Sequence, residues 1–431
     1  MLAAVYAYEI YRRPETVVPQ RIATPVPTAL LLKPIPDSIL NAAELRRGQY
    51  LILASDCVAC HTREGGIPFA GGYAVRLPFG VIYTQNLTSD RQTGIGNWTT
   101  EQFYNVLHNG RGAHGEFLYP ALPYTYFTRL NRADSDAILA FLKTIPPQSY
   151  IPPPNDLPFP LNIRLSVLGW NLLFFTPGEF APSPQKSPEW NRGAYLVTGP
   201  GHCGACHTPK NFLIADETSK PLYGGTLDNW VAPDLTSNTR VGLGLWSIEN
   251  IVEYLKTGRN GYSSAGGAMA EVVSNSTSVM TNDDLHAVAV YLKDQSGSPD
   301  NTFDTPDAGA MKRGAAVYFD ICTSCHMEQP SEQQARLFPP MRANMVLQQS
   351  DPTGLLHLIL AGDRTAPTPT RPSGLSMPSF AWKLNDQQIA DLATYARNSW
   401  GNKASPVEAY QLSDMRKILN LESTRTSSVS Q

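Results

Sequence analysis

All six cysteines of this 431-residue chain fall in three copies of one pattern, Cys57-Val58-Ala59-Cys60-His61, Cys203-Gly204-Ala205-Cys206-His207 and Cys322-Thr323-Ser324-Cys325-His326. Two thiols two residues apart, followed at once by histidine, is the pattern for covalent attachment of a c-type haem. Each thiol pair adds to the two vinyl groups of one haem, and the adjoining imidazole reaches the iron from one face. The pattern predicts three covalent haems, with Cys57, Cys60, Cys203, Cys206, Cys322 and Cys325 as attachment residues and His61, His207 and His326 as iron ligands. Zinc would need paired motifs sharing one metal at short spacing, which these widely separated pairs do not offer. No cysteine is left for a disulfide.

An iron held by one histidine needs a second axial ligand for fast electron transfer, and methionine in that place raises the potential. Met269, in a loop before a helix, is the candidate for the second haem, whereas Met280 abuts that helix and reads as core. Met377, followed by Pro378, is the candidate for the third, with Met341 as an alternative. Met327 adjoins His326 and cannot reach the opposite face. The first copy differs, because no methionine lies between residues 2 and 268. The position answering Met269 is Leu122. His114, a water or an open iron are the alternatives there. His108 reads as solvated, and His202 as a hydrogen-bonding neighbour of the second motif.

The elements that position these residues also repeat. A helix bearing Arg-Gly leads into each motif, at Arg47-Gly48, Arg192-Gly193 and Arg313-Gly314. Gly94-Ile95-Gly96-Asn97-Trp98 is answered by Gly242-Leu243-Gly244-Leu245-Trp246. Both run into helices with Thr99 or Thr100, and Ser247, as N-caps and with Gly110 and Gly258 as stops. The offset is 148 residues between Gly94 and Gly242 and 146 between His61 and His207, the mark of a duplication. Closing amphipathic helices are expected over 134–143, 282–293 and 385–398, with Phe141, Tyr291 and Tyr395 near their ends. A glycine on one helix and an aromatic on the other suit close crossing. The fold class expected is all-α, three tandem cytochrome c-like domains with long irregular Pro-rich connections. Domain 1 spans 42–145, domain 2 spans 189–297 and domain 3 spans 307–402. An N-terminal arm covers 1–41, a Pro-rich linker 146–188 and a polar tail 403–431.

A chain of this length exceeds one core. Its net charge of −3 and lack of a basic stripe argue against nucleic acid. The apolar start, Met1 to Tyr8, is too short to span a bilayer. It reads as the remnant of a longer signal or anchor, or as a frayed amphipathic start. Within the linker, 163–175 is apolar and aromatic, also too short to span, and reads as an interfacial segment or as a buried strut. No nucleophile–base pair, phosphate loop or molybdenum signature suggests a substrate site of the chain's own. A stand-alone catalytic cytochrome such as a peroxidase, and a soluble electron carrier, remain as other classes.

Taken together, Pro78-Phe79-Gly80-Val81-Ile82-Tyr83-Thr84, Leu118-Tyr119-Pro120-Ala121-Leu122-Pro123-Tyr124, Gly201 to Pro209 and Met377-Pro378-Ser379-Phe380-Ala381-Trp382 resemble the trihaem cytochrome c subunit of bacterial membrane-bound dehydrogenases. The likeness covers roughly residues 42–402. It implies an electron-transfer subunit, working with a catalytic dehydrogenase subunit and in some cases an iron–sulfur subunit. Electrons would pass to ubiquinone at the periplasmic face of the bacterial cytoplasmic membrane. The partner would be a quinoprotein alcohol dehydrogenase, a flavoprotein sugar or gluconate dehydrogenase, or a molybdenum-containing aldehyde or heteroaromatic dehydrogenase. Most of the family has methionine where this chain has Leu122, and the variant without it looks more like cytochromes serving molybdenum enzymes, so aldehyde dehydrogenase is the partner expected.

Overall fold

The computed structural model describes residues 31–227, 229–300 and 302–421. Most of the expected N-terminal arm, residues 1–30, and the end of the expected tail, residues 422–431, lie outside them. The chain is mostly helical, and its contacts divide it into two compact units. The first holds 31–205 and Asn275–Val288, and the second holds Cys206–Ser274 and 289–421.

In the first unit, α1 (Ala42–Ala54) crosses α3 (Arg132–Leu142), with α2 (Thr100–Asn109) between them in sequence and α4 (Ser166–Phe174) and α5 (Pro188–Thr198) after. A glycine inside a helix costs about 1 kcal/mol against alanine. Gly48 is used in α1 because a Cβ there would lie 1.9 Å from the Ala137 carbonyl oxygen. Beside it, Arg47 pairs with the buried Asp134. The core includes Leu51, Ile52, Val58, Phe103, Ile138 and Leu142.

In the second unit, α6 (Ile248–Thr257), α7 (Gly267–Asn275, its last residue in the first unit), α9 (Ala308–Val317), α10 (Thr353–Ala361), α11 (Asp386–Arg397) and α12 (Ala409–Ile418) dominate, and α8 (Asn282–Lys293) has residues in both units. The crossing of α9 and α11 repeats the first. A Cβ on Gly314 would lie 2.0 Å from the Asp391 carbonyl oxygen, and Arg313 holds the Asp391 carboxylate at 2.6 Å. Arg192 of α5 holds Asp284 of α8 at 2.7 Å. Each Arg-Gly pair thus places the arginine on a closing-helix aspartate. Two tyrosines cross over reciprocally within the first unit: Tyr50 donates to Asp284 at 2.5 Å, and Tyr195 donates to Asp134.

Thr99 caps α2 in a box with Gln102, and Ser247 caps α6 in a box with Asn250. Gly110 and Gly258 end these helices at φ +60° and +75°, left-handed values that favour glycine. Among the described residues, three two-stranded antiparallel hairpins interrupt the helices: β1 (Ala74–Leu77) with β2 (Gly80–Tyr83), β3 (Gly225–Leu227) with β4 (Trp230–Ala232), and β5 (Asp363–Arg364) with β6 (Ser376–Met377). Runs of two to four residues are too short for a period-two signal to show.

The Pro-rich stretch after α3 is tied back to the first unit. Asp156 and Val81 exchange backbone hydrogen bonds of 2.9 and 2.8 Å, and Tyr119 donates to the Leu161 carbonyl at 2.7 Å. Helix α4 buries Val167 but leaves Leu172 and Leu173 78% and 71% exposed. Among the described residues no helix is long and apolar enough to cross a membrane. The chain past Lys403 is not a simple tail: α12 buries Leu412 and Met415 against the core of α10 and α11. There Arg416 bonds Asp386 and the carbonyls of Ala381 and Leu384. Its polar composition hid three apolar side chains, Val407, Leu412 and Met415, that suffice to dock it.

Candidate haem-attachment sites

Each motif is wound as helical turn, which puts residues three apart on one face. Cys57–Cys60 and Gly204–His207 are single turns, and Cys322 ends a π turn, Tyr318–Cys322, that continues α9. The His61 amide bonds the Cys57 carbonyl at 3.0 Å, and the His326 amide bonds the Cys322 carbonyl at 2.8 Å. None of the six cysteines is oxidised to a disulfide. Burial pushes the Cys57 thiol up to about 12 and the Cys322 thiol up to about 11.

The three histidines share one arrangement. Nδ1 lies 2.7 Å from the Gln85 carbonyl for His61, 2.6 Å from Pro233 for His207 and 3.1 Å from Pro339 for His326. An Nδ1–H donated to a carbonyl leaves the Nε2 lone pair for a metal and fixes the ring's orientation. Burial lowers the pKa of all three, with the carbonyl bond opposing it, so the rings are neutral, the form a ligand requires.

The carbonyls that hold His61 and His207 come from duplicated segments, Gln85-Asn86-Leu87-Thr88-Ser89 and Pro233-Asp234-Leu235-Thr236-Ser237. In each, the second side chain accepts from the backbone two residues on, at 2.9 Å for Asn86 and 2.6 Å for Asp234. Ser89 then donates to Ile145, and Ser237 to Gln295, both at 2.6 Å. The sequence reading missed these orienting residues, although their repetition at the same 148-residue offset was there to be found. The third site has its own brace, Tyr318 donating to the His326 carbonyl.

Met269 stands in the first turn of α7, packed near Ala265, Ala270, Val273, Tyr254 and Ala366. Met377 ends β6 and packs, like Met341 and Cys322, on the core of α10 and α11. Met280 is buried, and Met327 is exposed. Leu122 packs on the same cluster as Cys57. His114 sits in an exposed turn, and His108 stacks on Tyr104 at 4.7 Å. His202 has Nε2 3.3 Å from the Ser55 carbonyl, as a hydrogen-bonding neighbour should.

Paired thiols on one face and a neutral imidazole with its outer nitrogen available fit a c-type haem at each motif. A cytochrome c family model matches residues 311–400. The chain is 39% identical over 397 residues to the cytochrome c subunit of a quinone alcohol dehydrogenase from Gluconacetobacter polyoxogenes, covering 88% of this chain and 84% of that one. It is 37% identical to the gluconate 2-dehydrogenase cytochrome c subunit of Pantoea cypripedii, covering 88% and 91%. It is 34% identical to the fructose dehydrogenase cytochrome subunit of Gluconobacter japonicus, covering 91% and 89%. Likeness over nearly the whole of each chain settles the family: the protein belongs to the cytochrome c subunits of bacterial alcohol, gluconate and fructose dehydrogenases.

Proposed function

We propose that the chain is a three-haem electron relay between a catalytic dehydrogenase subunit and ubiquinone, working at the periplasmic face of the bacterial cytoplasmic membrane. The observation that carries this reading is the recurrence of one histidine cradle, with Nδ1 held by Gln85, Pro233 or Pro339 beside each cysteine pair. Bound there, the haems would supply one-electron redox chemistry. The chain's own residues attach and orient them: Cys57, Cys60 and His61; Cys203, Cys206 and His207; Cys322, Cys325 and His326. Met269 and Met377 would be the second iron ligands at the second and third sites, while Leu122 would offer the first site no methionine. The three domains are 42–145, 189–297 and 307–402. The exposed leucines of α4, flanked by Trp170 and Phe174, support a segment that dips into the membrane surface.

For the partner we infer an aldehyde dehydrogenase, in which an iron–sulfur subunit would complete the chain of cofactors, because Leu122 departs from the methionine expected there. The 39% identity to an alcohol dehydrogenase subunit favours a second reading, a quinoprotein alcohol dehydrogenase. Purification from detergent-solubilised membranes tests both. We expect a dehydrogenase subunit to co-purify, and the complex to reduce a ubiquinone analogue with an aldehyde. Reduction with an alcohol alone would select the second reading. A chain that purifies without a partner, or oxidises substrate unaided, would overturn the relay.

A further inference from the structure

The segments that carry Met269 and Met377 come from different repeats, yet they meet at one residue. The Asp363 carboxylate accepts a hydrogen bond from the backbone N–H of Gly267 at 2.9 Å. Gly267 is the first residue of α7, whose first turn holds Met269. In the register of β5 and β6, Asp363 faces Met377.

The backbone is shaped to allow this meeting. A Cβ on Gly266 would lie 1.9 Å from Asp363 Oδ2, so only glycine lets the carboxylate come this close. Gly362 takes φ +74°, and a Cβ there would lie 2.5 Å from the Met377 carbonyl oxygen. Gly267, at φ +52°, would place a Cβ 2.8 Å from the Trp230 ring. Trp230 begins β4, the strand that leads to Pro233 and so to the carbonyl behind His207. The second carboxylate oxygen, Oδ1, accepts from the Arg364 N–H at 2.7 Å. Ala366, three residues on, packs in the small cluster beside Met269.

We propose that Asp363 is a shared positioning residue for the sixth ligands of the second and third haems, its side chain fixing the start of the Met269 helix and its main chain fixing Met377. This rests on the reading of Met269 and Met377 as iron ligands. A methionine sulfur is a weak ligand whose bond depends on its backbone being held in place. Losing the carboxylate frees the first turn of α7, whose N–H groups have no partner within the helix. The strand pairing of Met377 runs through the backbone and survives that loss, so the second haem bears the larger effect.

The experiment is ferric-state absorption in the methionine-to-iron charge-transfer region, with a redox titration, on the full-length holoprotein and its variants. The wild type should show two methionine-ligated haems. Asp363→Ala should lose the signal of one of them and lower one midpoint potential, with the other two potentials unmoved. Asp363→Asn keeps an acceptor oxygen and should restore the signal. Gly266→Ala, which displaces the carboxylate without removing it, should reproduce the loss. A thermal melt of each variant separates ligand loss from unfolding. Asp363→Ala and Gly266→Ala that keep both signals and all three potentials would overturn the positioning role. Fewer than two methionine signals in the wild type would instead overturn the ligand reading, and the inference with it.

Discussion

The loop around Leu122 and the segments around Met269 and Met377 are held in different ways. Tyr119 and Tyr124 flank Leu122 and donate at 2.7 Å to Leu161 and Asn171, both in the Pro-rich stretch. Phe175 meets the Tyr124 ring edge-on at 5.0 Å. The Leu122 loop is thus braced by the connection that follows its own repeat. The Met269 segment is instead braced by the third repeat through Asp363, whose backbone also pairs with Met377 of its own repeat. Behind the histidines the difference disappears, since His61, His207 and His326 are held alike by a backbone carbonyl. On the proposed three-haem reading, the scaffold would keep the attachment side of the sites constant and vary the opposite side, where an axial ligand would set the potential.

Substitutions at the varied side should have the largest effects. We expect Met269→Leu and Met377→Leu each to abolish one methionine–iron signal and lower one midpoint potential, and Leu122→Ala to change neither. Leu122→Met would sharpen the contrast if it adds a third such signal, and an unchanged spectrum would show that residue 122 does not face the iron.

The shared framework should respond equally in its copies. Gly48→Ala and Gly314→Ala each force a Cβ into a facing carbonyl, at 1.9 and 2.0 Å, and should each cost about 3 kcal/mol in denaturant titrations. A cost at only one would break the equivalence of the two crossings. Arg192→Ala leaves the buried Asp284 without its ion-pair partner and should cost about 2 kcal/mol. Burial alone would raise the Asp284 carboxyl, but hydrogen bonds from Arg192 and Tyr50 outweigh it and hold it below the usual carboxylate range. A depressed native pKa adds stability that is present above the unfolded value, near pH 4, and is lost as pH falls through the native value. That acid-side loss should shrink in Arg192→Ala, and an unchanged profile would remove Asp284 from the explanation. The smallest effects belong to the caps: Thr99→Ala and Ser247→Ala should each cost about 1 kcal/mol in the same titrations.

The chemistry of the attachment side was legible in the sequence because it is local. Cysteine and histidine sit within five residues, the Arg-Gly pairs lie just before them, and Thr99 and Ser247 cap helices that begin at the next residue. What joins distant positions was not legible. Asp134 and Asp284 look like ordinary acidic residues near helix starts and Asp391 like one in mid-helix, and only the fold shows that each receives the arginine of an opening helix. Asp363 belongs to the third repeat by sequence and bonds a residue of the second, a pairing no periodicity encodes. The hairpins were too short to show, and α12 was hidden in a polar stretch. Leu122 is the opposite case, visible from sequence alone because a duplication makes a missing methionine conspicuous.

The most direct test of the difference between the sites is electron paramagnetic resonance of the oxidised full-length holoprotein, read together with its redox titration. We expect two low-spin histidine–methionine haems and one distinct haem, at lower potential or with a high-spin component. Three indistinguishable low-spin histidine–methionine signals would contradict it.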